Sequence, residues 1–129
     1  MAAALLALSA APAAIACGHC IEDRVAAVYD YQLELLAGQE HLRIAYLGVR
    51  GARAETQAAS DRVAAVLREN AVAMPGTIRT SVEPAAAAFA WHGDDQALRA
   101  ALRDTNSRLA PAGLSVELLR TWDARRGLR

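Results

Sequence analysis

The chain has 129 residues, the size of a single domain with its own core. Its 14 basic residues are all arginine and are balanced by 14 acidic ones, so the formal net charge is zero. With no strong basic run and only 5% aromatic residues to stack on bases, nothing points to a nucleic-acid partner.

The first 16 residues stand apart. Met1 to Ala16 carries no charge, is apolar from Ala2 through Leu8, and ends in Ala14-Ile15-Ala16, the A-x-A ending that a signal peptidase accepts. The run is shorter than the about 20 residues of a membrane-spanning helix. It reads as a secretory signal, although no Lys or Arg follows Met1. The expected location is therefore exported, periplasmic or secreted. Cleavage after Ala16 makes Cys17 the first mature residue. A bacterial lipoprotein is the alternative at that position, although the triplet lacks the usual leucine at its first place. A lipid on Cys17 would bring the chain to a membrane and remove its thiol.

Residues 17–40 form the next unit. Cys17-Gly18-His19-Cys20 holds the only two cysteines. Ile21, Val25, Val28, Tyr29, Leu33 and Leu36 then recur at helical steps, with Glu22 and Asp23 placed for a first turn. The spacing predicts one helix from Glu22 to Ala37, ended by Gly38.

Residues 41–121 read as strand, helix, strand, strand, helix, strand. In His41–Val49, Leu42, Ile44 and Tyr46 alternate with Arg43 and Ala45, as in a half-buried strand. Gly48 and Gly51 punctuate a turn. A helix over Ala52–Asn70 buries Ala59, Val63, Val66 and Leu67. Met74-Pro75-Gly76 breaks the chain, Thr77–Glu83 is β-prone, and Ala85–Trp91 fits a strand hairpinned to it. Asp94 or Asp95 caps a helix striped by Leu98, Leu102 and Leu109, which Ala110-Pro111-Ala112-Gly113 stops. Leu114–Thr121 is the last strand, with Leu114, Val116 and Leu118 on one face, and residues 122–129 are a polar tail. The expected class is α+β: a ferredoxin-like βαββαβ sandwich with an extra N-terminal helix that could cap either the sheet edge or its open face.

The segment from Arg43 to Leu119 resembles the heavy-metal-associated domain family of copper chaperones and metal-transport ATPases. The likeness lies in element order and in Ala88-Phe89-Ala90-Trp91, then Gly93-Asp94-Asp95, then Gln96-Ala97-Leu98 with Leu102. The resemblance implies the ferredoxin-like fold and metal carriage. That family holds its metal in the loop after the first strand, which here is Val49-Arg50-Gly51-Ala52-Arg53 and has no cysteine, so its ligands do not carry over. The opening from Cys17 to Asp30 is also similar to a group of small secreted bacterial proteins of unassigned function.

The chemistry rests on Cys17 and Cys20. Two thiolates at this spacing suit a soft ion, Cu(I) or Zn(II), with His19 between them as a further donor. The start of a helix is a place where the backbone's partial positive charge stabilises a thiolate. A binding or trafficking protein would hand the ion to a metal-transfer partner. A thiol–disulfide role for the same pair is the alternative, since an exported compartment is oxidising. Disulfide isomerases share the tetrapeptide, but they place a strand before it, and this chain has no room for one. A structural or interaction domain is the third reading. His41 and His92 read as structural. No nucleophile motif, H-E-x-x-H or phosphate-binding loop is present, so no catalytic residue is assigned.

Overall fold

The computed structural model describes residues 20–129. The expected signal segment, Cys17 and His19 lie outside the described residues. Two neighbouring strands, β1 (Arg43–Arg50) and β3 (Ala86–Trp91), set the architecture. Every residue of β3 is buried, as is every residue of β1 from Ile44 to Val49. A strand covered on both faces needs apolar or small side chains at every position. The expectation of a half-buried first strand is therefore corrected: both sets of alternate residues face a core.

Those cores are separate. Ala45, Leu47 and Val49 join Ala87, Phe89 and Trp91 beneath α3 (Gln57–Glu69) and α4 (Asp95–Leu109). On the opposite face Ile44 and Tyr46 join Ala86, Ala88 and Ala90 beneath α1 (Ile21–Ala27) and α2 (Tyr31–Gln39). The result is helix pair, sheet, helix pair. The N-terminal helical segment thus covers the open face rather than the edge.

The remaining strands are β2 (Arg79–Ser81), β4 (Ser115–Asp123) and β5 (Gly127–Leu128). Among the described residues the chain is α+β, with four α-helices and a five-stranded antiparallel sheet in the order β2-β3-β1-β4-β5. A plain βαββαβ sandwich has neither the fifth strand nor the second helical layer. Residues 122–129 do not form a simple tail. Trp122 and Asp123 continue β4, the chain turns, and Leu128 pairs back with Trp122. The turn forms because Asp123 Oδ1 accepts the backbone N–H groups of Arg125 and Arg126, at 2.9 and 2.8 Å. These bonds, that of Arg126 foremost, hold the Asp123 carboxyl below its usual range.

Three other boundaries move for local reasons. The single helix expected over Glu22–Ala37 is two, because Asp30 adopts extended backbone and its Oδ1 accepts Gln32 N–H at 2.9 Å. An aspartate cap competes well with continued helix at such a point. Gly38 lies inside α2 and does not end it. The helix expected from Ala52 starts at Gln57, where the Thr56 hydroxyl accepts Ala59 N–H at 3.1 Å. In β4, Leu118 pairs with Leu47 on the face of Val116 but stands exposed at the rim of the α4 layer, and the register shifts just after it, between Tyr46 and Leu47. By contrast, Asp94 caps α4 as expected, accepting Ala97 N–H at 2.8 Å. Leu98 and Leu109 bury fully.

Candidate thiol site at the start of the first helix

Cys20 is the N-cap residue of α1, in extended backbone, and its carbonyl accepts Arg24 N–H at 3.1 Å. Its side chain does not cap the backbone. The thiol instead donates to Asp23 Oδ2 at 3.0 Å. Cys20 is exposed and forms no disulfide among the described residues. The sequence reading passed over Asp23 as a first-turn acid. Its signal was there: a residue three positions on lies on the same helical face.

Short as it is, α1 is held firmly in place. Val25 is buried against the sheet. The Arg24 guanidinium lies on β1 where Gly48 has no side chain; a Cβ there would fall 2.7 Å from Arg24 Nη1. Arg24 Nη1 is 3.8 Å from Glu117 Oε1, and Arg120 Nη2 is 3.2 Å from Glu22 Oε1. Gly48, expected to mark a turn, thus sits mid-strand and makes room for an arginine. The helix that presents Cys20 thus meets β1 through Arg24 and β4 through Arg24 and Glu22.

Of the residues assigned to metal or redox chemistry, the structure describes Cys20 alone; Cys17 and His19 are outside the described residues. Among the described residues no group of three His, Cys, Asp or Glu side chains converges on one point. His41 and His92 are exposed and belong to no such group. In the loop after β1, Gly51 has φ of +146°, and a Cβ on it would collide with the Gly113 carbonyl oxygen.

Burial shapes one other group near this layer. Tyr46, under α1 and α2, has its hydroxyl pKa pushed up to about 12, chiefly by burial and then by the nearby Glu34 charge. It is a core residue and not an acid–base candidate at neutral pH. Tyr29 in the link between α1 and α2, and Tyr31, Leu35 and Leu36 on α2, are exposed. No described helix is long and apolar enough to cross a membrane. No protein-family model, curated protein sequence or solved structure matches the chain.

Proposed function

We propose that this is an exported protein that binds or carries a soft metal ion, Cu(I) or Zn(II), at the Cys17-Gly18-His19-Cys20 motif. The observation that carries the reading is the Cys20 thiol, exposed and in no disulfide among the described residues, at the N-cap of a helix packed on the sheet. Cys17 is three residues upstream, and two thiolates at that spacing meet the preference of both ions for sulfur. His19 would add an imidazole. The protein would then pass its ion to a metal-transfer partner. We also read β4-β1-β3-β2 with α3 and α4 as a ferredoxin-like unit of the heavy-metal-associated kind, carrying α1, α2 and β5 as additions. The antiparallel order and the two helices on one face support that reading. In this arrangement the metal site has moved from the loop after β1 to the added helical layer.

The same exposure of Cys20 favours a second reading, a thiol–disulfide protein using Cys17 and Cys20. Intact mass of the mature protein, purified without oxygen and measured under native and denaturing conditions, separates the two. The metal reading expects a reduced chain beginning at Cys17 with one copper or zinc ion, and loss of that ion in both Cys17→Ser and Cys20→Ser. An apo chain two hydrogens lighter would move the function to the disulfide. A lipid on Cys17 would abolish the two-thiol site.

A further inference from the structure

Away from Cys20, residues of the β4–β5 hairpin and of the first turns of α4 line an open cleft of about 270 Å³. Leu98 and Leu118 give it apolar walls, and four arginines and two aspartates line it. A chain with no net charge thus concentrates an excess of two positive charges in one cleft.

The two carboxylates are already engaged. Asp95 Oδ1 meets Arg43 Nη1 at 2.7 Å, and that guanidinium also lies over the Trp91 ring, 4.7 Å from its centroid. Asp123 is taken by the Arg125 and Arg126 backbone N–H groups. The side chains of Arg99, Arg126 and Arg129 have no carboxylate within ion-pair distance among the described residues. They come from two different elements, α4 and the hairpin, and line the same space. The three side chains are exposed and the Asp123 charge acts on Arg126, so their like charges are only partly offset and repel one another. An oxyanion between them would remove that repulsion and supply acceptors for their N–H groups.

We propose that this cleft is an anion site, in which Arg99, Arg126 and Arg129 bind a compact multivalent oxyanion, a phosphate group or a small polycarboxylate. It is independent of the cysteine motif. Arg43 is held aside by Asp95 and forms one wall, so its contact with Trp91 gives the site an optical reporter.

The test is a titration of the full chain with inorganic phosphate, and separately with citrate, at constant ionic strength set by chloride. Tryptophan fluorescence and backbone amide shifts of residues 99 and 121–129 are followed. Saturable binding is expected, with Arg99→Ala and Arg129→Ala each weakening it about tenfold or more, as loss of a charge-assisted bond does. Arg103→Ala removes the same charge one turn further along α4, outside the cleft, and should change affinity by less than about twofold. Tighter phosphate than citrate identifies a phosphate group as the ligand, and the reverse a polycarboxylate. Absence of saturation with both anions would overturn the proposal. So would equal weakening by Arg103→Ala, which would mean diffuse charge and no site. Cys20→Ser should leave the titration unchanged.

Discussion

The two faces of the sheet are built differently. On the α3–α4 face the sheet contributes large side chains, Leu47, Phe89 and Trp91, and both helices are opened by side-chain caps, Thr56 and Asp94, where of the opposite pair only α2 has one, Asp30. On the α1–α2 face β3 contributes only Ala86, Ala88 and Ala90. Small residues bury little area, and apolar burial scales with area. That layer relies on a few larger contacts, Leu33, Ile44 and Tyr46, and on ion pairs from the helices to the sheet: Glu22 with Arg120, Arg24 with Glu117, and Asp30 with Arg79. The lesson is a division of labour: one layer sustains the fold, while the more lightly bonded layer presents the thiol.

The most direct way to break this comparison is to create the same cavity on each side. Leu67, fully buried in α3, and Leu33, 1% exposed in α2, are matched targets. Leu67→Ala should cost about 2–5 kcal/mol of global stability in denaturant titration. Leu33→Ala should mainly speed amide hydrogen exchange in α1 and α2 while α3 and α4 keep their protection. Uniform loss of protection in both variants would show a single cooperative unit and remove the distinction.

Two glycines sharpen it further. Gly51→Ala forces a side chain into left-handed backbone and against a carbonyl oxygen, so a loss of about 1–3 kcal/mol is expected by thermal denaturation. Gly48→Ala meets the tip of a flexible arginine, so it should cost less than about 1 kcal/mol, and its effect should appear as displaced Arg24 and weaker protection of α1. A larger loss at Gly48 than at Gly51 would reverse the assignment of rigid and adjustable sides.

The smallest effect expected is of pH on the polar attachment. The Arg79 guanidinium, 2.9 Å from Asp30 Oδ2, is the main cause holding the Asp30 carboxyl below its ordinary 3.8. A carboxylate with a depressed folded-state pKa contributes stability above its unfolded value, and that contribution fades as pH falls through the folded value. Exchange protection of α2 should therefore weaken below pH 3.8 in the native chain, and this acid dependence should shrink in Asp30→Asn. An unchanged acid profile in that variant would assign the effect to another carboxylate.

Much of the first layer was legible in residues alone. Leu98, Leu102 and Leu109 fall on one helical face, Asp94 is a good cap at the right place, and Gly113 follows the stop, with φ of +71°. Such signals are local, and local backbone chemistry acts the same way wherever the chain is. The candidate site was legible as a pair of cysteines before a helix, and no further. The Asp23 bond to Cys20 could have been inferred from spacing, but the Arg24, Gly48 and Glu117 arrangement joins three elements that no spacing connects.

What the sequence determined by itself was the order of strands and helices from β1 to β4 and the cap that opens α4, because periodicity, caps and glycines act over a few residues. Tertiary structure added an ion pair from Arg79 to Asp30, whose local cap on α2 breaks the N-terminal helix. It also decided that the helical pair covers the second sheet face, that residues read as a tail return as β5, and that arginines from α4 and the hairpin line one cleft. The covered second face and the shared cleft depend on contacts between segments far apart in the chain, whereas the β5 return is a local hairpin set by Asp123. The pattern along a strand such as Ala85–Trp91 shows that it is buried, but not by what.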